Sequence, residues 1–211
     1  MKKAFTLAEV LITLGIIGIV AAMTIPALNN KIREKETITK LQTTYSILAQ
    51  AFKSIEAESG DPDAWNLSGA SYNKEDSEII AKYILPSLKL TQDCGTGANT
   101  SCFYGGHYKY LNGTTVGSYG GYGLYKVVLL NGTALSFGQW NANERIDFYI
   151  DTNGVNAPNT IGRDLFVISW YKDKGLLPLG ATGTGYSCDK SGNGWGCADW
   201  VITKRNMDYL K

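Results

Sequence analysis

Three things are scarce in this 211-residue sequence: net charge, histidine and cysteine. Twenty Lys and Arg face 19 Asp and Glu, a formal balance of +1, so there is no basic field of the kind that grips phosphate backbones. No nucleic-acid partner is expected on this ground. His107 is the only histidine, and it stands among Gly and Tyr without a neighbouring Ser or Cys. General-base and nucleophilic chemistry thus lack their usual carrier, and an enzyme is not expected. The four cysteines fall into two close pairs, Cys94 with Cys102 and Cys188 with Cys197. Zinc signatures place only about two to four residues between paired ligands, often with histidine, and these gaps are wider. Two local disulfides in an oxidising compartment are the better reading, each limiting the unfolded chain by ~2–3 kcal/mol. The two other pairings stay open at this point. No repeat at solenoid periods is visible.

What the sequence does have is a long apolar run near its amino terminus. From Val10 to Asn30 there are 21 residues without a charge, VLITLGIIGIVAAMTIPALNN, and a membrane span needs about 20 at 1.5 Å each. A signal peptide has a shorter apolar stretch, about 7–15 residues, followed by a small-x-small exit. A core helix would be amphipathic, whereas this one is apolar all round. Glu9 does not suit a plain anchor: a carboxylate that close to hydrocarbon costs about 2.5 kcal/mol or more if deep. Pro26, without an amide hydrogen, predicts a kink or local melting near Ala22–Pro26.

The order Lys2-Lys3-Ala4-Phe5-Thr6-Leu7-Ala8-Glu9-Val10-Leu11-Ile12, followed by a Gly-bearing apolar stretch and Pro26, closely resembles the amino terminus of type IV prepilins and type II secretion pseudopilins. The resemblance covers roughly the first 30–60 residues. It implies cleavage between Ala4 and Phe5 by a membrane-embedded prepilin peptidase, N-methylation of Phe5, and pairing of Glu9 with the amino terminus of a neighbouring subunit. It also implies the partners of that life: like or related pilin subunits, inner-membrane assembly machinery and membrane lipid. Ala4 departs from the family, which usually has glycine before the cut; slower processing is the expected consequence. An ammonium on Phe5 and the Glu9 carboxylate attract strongly in a low dielectric. The same pair is one turn apart within a single helix, so an intramolecular contact is the competing arrangement.

Beyond the span, Ile38, Leu41, Tyr45, Leu48, Phe52 and Ile55 recur at spacings of three and four, an amphipathic helix too short for a free coiled coil. Gly60-Asp61-Pro62 ends it. Downstream, a helical pattern is confined to about Glu75–Leu85. Strands are expected at Gly123–Leu130, Ala134–Gln139, Ile146–Asp151, Asp164–Tyr171 and Trp200–Thr203, with Asn131-Gly132 a hairpin turn. The expected layout is a leader at 1–4, a transmembrane and assembly helix at 5–30, its amphipathic continuation at 31–58 and a globular head at 59–211. The fold class is α+β, a long helix packed on an antiparallel sheet, lying outside the cytoplasm on a single-pass inner-membrane anchor.

Within the head, Asp151, Asn153 and Asp164 gather oxygens of the type calcium prefers, but the bidentate Glu of an EF-hand is missing. A turn in which Asp and Asn bond their own backbone is the favoured reading, so no cofactor is expected beyond this weak calcium candidate. Gly180–Gly196 lacks the Gly-Lys-Ser/Thr ending of a phosphate loop and reads as a disulfide-held surface loop. Phe103–Tyr125, rich in Tyr and Gly, could present aromatics to a glycan or to DNA; edge strands with exposed turns are the simpler alternative. The sequence therefore supports a structural filament subunit first, and second a membrane-tethered binding protein or adhesin that does not polymerise.

Overall fold

The computed structural model describes residues 6–98, 101–121, 123–140, 145–182 and 184–211. Helix α1 spans Leu7–Ser59, α2 Lys74–Ile84 and α3 Cys197–Lys204. Six strands, β1 Leu90–Gly95, β2 Tyr125–Leu129, β3 Ala134–Trp140, β4 Arg145–Asp151, β5 Leu165–Tyr171 and β6 Gly175–Pro178, form one sheet. They lie side by side in sequence order, every pair antiparallel. This is the α+β, pilin-like architecture of one long helix and an antiparallel sheet.

By internal contacts the chain divides into Met1–Glu36 and Thr37–Lys211. In the first unit the described residues belong almost wholly to α1 and are exposed nearly throughout. The helix continues through Pro26 without interruption, so the local melting expected near Ala22–Pro26 is not present.

In the second unit the central strands β3, β4 and β5 are buried on both faces. Alternation along each strand sends Leu135 and Phe137, Ile146, Phe148 and Ile150, and Phe166, Ile168 and Trp170 to one face. There they meet Leu41, Leu48, Ala51, Phe52 and Ile55 of α1. Phe52 is central, with its ring edge-on to Phe148 at 5.7 Å and stacked on Trp170 at 6.3 Å. The buried stripe is rotated slightly from the one expected, since Thr44 and Ala51 are buried while Ile38 and Tyr45 are half-buried. Gly60, at φ +78°, ends the helix in the left-handed region.

The opposite face carries Ala134, Tyr149, Leu165 and Val167 and is covered by Phe103, Tyr108 and Ile161 from the loops. Burial on both sides explains why β3, β4 and β5 are buried almost end to end. The hairpin joining β2 and β3 turns through Leu130-Asn131-Gly132, with Leu129 N–H donating to Thr133 O at 2.9 Å and Gly132 at φ +77°, the left-handed residue that closes a three-residue hairpin loop.

Trp200–Thr203, expected as a strand, is helix α3. Val201, Ile202 and Thr203 are β-branched and mimic a strand, but tertiary packing decides otherwise. Ala198 and Val201, three apart, are both buried. Asp199 in the first turn and Lys204 in the last suit the helix dipole, and Asp199 N–H donates to Leu179 O at 3.1 Å. Two strands, β1 and β6, had no sequence-level expectation.

Candidate functional site

At the amino terminus, Ala4 and Phe5 lie outside the described residues. Glu9 is described. Its Oε2 accepts from both Thr6 N–H and Thr6 Oγ1–H, each at 2.8 Å, while Glu9 N–H donates to Thr6 Oγ1 at 3.3 Å. This reciprocal arrangement is a capping box, which satisfies donors that every helix start leaves orphaned. Thr6-Leu7-Ala8-Glu9 carries its sequence signature, a signal that a reading of Glu9 as a charge partner passes over. Among the described residues one helix, Leu7–Ser59, is long and apolar enough to cross a membrane.

Both expected disulfides are formed, Cys94 with Cys102 and Cys188 with Cys197. The second ties Ser187 and its neighbours to the first residue of α3. Here Gly180 and Gly196 allow two backbones to pack: a Cβ on Gly180, at φ +102°, would meet Gly196 O at 2.0 Å. The glycine-rich 180–196 stretch is therefore partly an interior loop, shaped by close approach rather than by a phosphate.

Asp151 and Asp164, the acids of the calcium candidate, are 0% and 3% exposed. Asp151 accepts from Asn153 N–H at 3.2 Å and from the Tyr108 hydroxyl at 2.5 Å. Asp164 accepts from Thr160 N–H at 2.6 Å and Asn159 N–H at 2.7 Å. All four carboxylate oxygens thus serve turns and a buried phenol. Among the described residues no group of three or more His, Cys, Asp or Glu stands ready for a metal. The donor set favours a structural role. His107 is exposed, with Nδ1 2.9 Å from Val116 O.

The loop face of the sheet holds a cavity of about 340 Å³. Tyr72, Tyr119, Trp140, Tyr149, Tyr186 and Trp195 supply its aromatic walls, and Arg145 and Asp147 its polar end. Strand β4 places Arg145, Asp147 and Tyr149 on one face by alternation. Arg145 forms an ion pair with Asp147: Nη2 donates to Oδ2 at 3.2 Å, and Nε lies 3.0 Å from Oδ1 without hydrogen-bond geometry. Ser169 donates to Oδ1 at 2.6 Å and Tyr72 to Oδ2 at 3.1 Å; the Tyr72 and Tyr149 hydroxyls touch.

Burial holds the Asp147 carboxyl above its ordinary value, although Arg145, Ser169 and Tyr72 pull against it. Burial also weighs against charge on Arg145, but Asp147 outweighs it and the guanidinium is held above its ordinary value. Hydrogen bonds from Arg145 Nη2, Ser169 and Tyr72 favour the charged form of the carboxylate against the burial. Arg145 also lies over the rings of Trp140 and Tyr186, at 5.7 and 5.9 Å. Of the Tyr-rich stretch, Phe103 and Tyr108 are core residues at 0% exposure, whereas Tyr119 reaches the cavity.

Against known proteins, residues 1–25 match the prokaryotic N-terminal methylation motif, and residues 27–175 match a family of unknown function, DUF6613. A fimbrial protein of Dichelobacter nodosus is 31% identical over 99 residues, 46% of this chain. The match spans 59% of that protein's length. No solved structure matches the chain significantly. The chain belongs to the family of unknown function DUF6613, and its methylation motif and its fimbrial relative mark it as type IV pilin-like.

Proposed function

We propose that this chain is a structural subunit of a filament of the type IV pilus or type II secretion pseudopilus kind. A prepilin peptidase removes residues 1–4 between Ala4 and Phe5, and Phe5 is methylated. The helix from residue 5 to 30 holds the subunit in the inner membrane with its head outside the cytoplasm. It then packs against like or related subunits as the assembly machinery extracts it. The observation that carries this reading is the methylation motif at 1–25 on a helix whose apolar residues are exposed on every side. Two disulfides are consistent with a head outside the reducing cytoplasm.

Within the helix, the capping box gives Glu9 a role in the single chain, and assembly adds a second. Its charge pairs with the ammonium of a neighbour's Phe5, which fixes the register between subunits. Glu9→Gln separates the two roles, because glutamine also serves at the third position of a capping box but carries no charge. The expected result is normal membrane insertion, mature protein beginning at methylated Phe5 by mass spectrometry, and no incorporation into sheared filaments. Filaments containing Glu9→Gln at the wild-type level would refute the charge pair, and a mature terminus other than Phe5 would refute the processing step.

The second reading, a tethered binding protein that does not polymerise, draws on the aromatic cavity in the head. It requires that wild-type chain be absent from sheared filaments and remain in the membrane fraction.

A further inference from the structure

We infer that the cavity on the loop face of the sheet is a binding site for a neutral saccharide, a single sugar ring or a short run of a glycan. Its volume of about 340 Å³ is at the lower end of the ~300–1,000 Å³ usual for ligand sites, enough for a small ligand and too small for a folded partner. The chemistry of the lining selects among small ligands.

Charge comes first. Among the described residues Arg145 is the cation of the lining and Asp147 the anion, and each is committed to the other through two short contacts. An anionic ligand such as a phosphate or a uronate would have to compete with Asp147 for the guanidinium. A cationic ligand would face the same contest with Arg145. A neutral ligand meets neither obstacle.

Shape and polarity come next. Trp140, 38% exposed, and half-buried Tyr72, Tyr186 and Trp195 present ring surface to the cavity. Such rings favour flat, weakly polarised C–H faces, and each keeps a polar edge for hydrogen bonding. The hydroxyls of Tyr72 and Tyr149 and the Arg145 fork stand at one end. Arg145 Nη1 lies 3.5 Å from the Tyr186 hydroxyl at this end. A purely apolar ligand would displace water from this polar end and offer it no hydrogen bond in return, at a cost. A pyranose has both required surfaces, an apolar C–H face for the rings and hydroxyls around its edge for the tyrosines and arginine.

Preorganisation is the third argument. The floor is fixed by Ser169 and Tyr72 on Asp147, and Tyr119, Tyr149 and Trp195 brace one another, with Tyr119 stacked on Tyr149 at 4.5 Å and edge-on to Trp195 at 5.6 Å. Little side-chain ordering remains to oppose binding.

The test uses the full chain in detergent micelles. Methyl glycosides of glucose, galactose, mannose and N-acetylglucosamine are titrated by calorimetry and by saturation-transfer NMR, beside glucuronate and a thymidine oligonucleotide. At least one neutral glycoside should bind with a dissociation constant of millimolar or tighter. Trp140→Ala, at an exposed position, should weaken that binding about tenfold with an unchanged melting temperature. Tyr186→Phe, which keeps the ring, should weaken it less. Absence of binding to every neutral glycoside overturns the inference. So does binding that Trp140→Ala leaves unaltered, or a preference for glucuronate or the oligonucleotide.

Discussion

The two units of this chain treat their apolar side chains in opposite ways. In Met1–Glu36, Leu11, Ile17 and Met23 are 61%, 63% and 74% exposed. In Thr37–Lys211, Leu41, Leu48, Phe137 and Phe148 are at 0%. So long an apolar surface left bare in the chain itself fits the proposed function, in which the first unit takes its burial from lipid and then from other subunits. The second supplies its own core. Stability of the head and placement of the helix are therefore separate quantities, and a substitution should move one without the other.

The largest effect expected is on the head alone. Phe148→Ala, which removes the ring that meets Phe52, should cost about 3–5 kcal/mol in denaturant unfolding and leave membrane fractionation unchanged. Its mirror image is Ile17→Lys. A lysine at mid-span costs about 2.5–3.5 kcal/mol of insertion, so membrane yield should fall while the melting temperature of the head stays constant. Should either variant alter both readouts, the separation fails.

Next comes reduction of the disulfides. Cys94→Ser/Cys102→Ser and Cys188→Ser/Cys197→Ser should each lower head stability by ~2–3 kcal/mol and leave insertion intact. Smaller still, Thr6→Ala should remove about 1 kcal/mol of helix capping, seen as faster amide exchange confined to the first turn of α1.

A pH series gives the finest test. Lys126 is fully buried, donates to Gly121 O and Leu124 O, and is pushed by burial from 10.5 down to about 8. Between these values the unfolded chain holds a proton that the folded chain lacks, so stability rises with pH across that window. It is lost again as pH falls toward 8. The difference in stability between wild type and Lys126→Met should therefore shift in favour of wild type from pH 8 to 10; a difference that stays flat would place the ammonium in water.

How far the sequence reveals this molecule depends on whether a signal is local. The stripe from Leu41 to Ile55, the Asn131-Gly132 turn and strands β2 to β5 carry their period or turn chemistry within a few residues, and the structure has them. Strand β1, LTQDCG, is largely exposed and irregular in register, so it offers no alternation to read. Strand β6 is four residues long. Helix α3 was hidden by three β-branched residues whose fate is set by the sheet beneath them. The cavity was least legible of all. Tyr72, Tyr119, Trp140, Tyr186 and Trp195 come from distant segments, and Arg145, Asp147 and Ser169 alternate with apolar neighbours as they would on a strand face open to water.

That alternation has a further consequence. Along β4, Ile146, Phe148 and Ile150 serve the helix side while Arg145, Asp147 and Tyr149 serve the loop side, and consecutive residues answer to different constraints. The sheet works as a partition: recognition chemistry on one side can be rewritten residue by residue while the surface that seats the helix is left as it was.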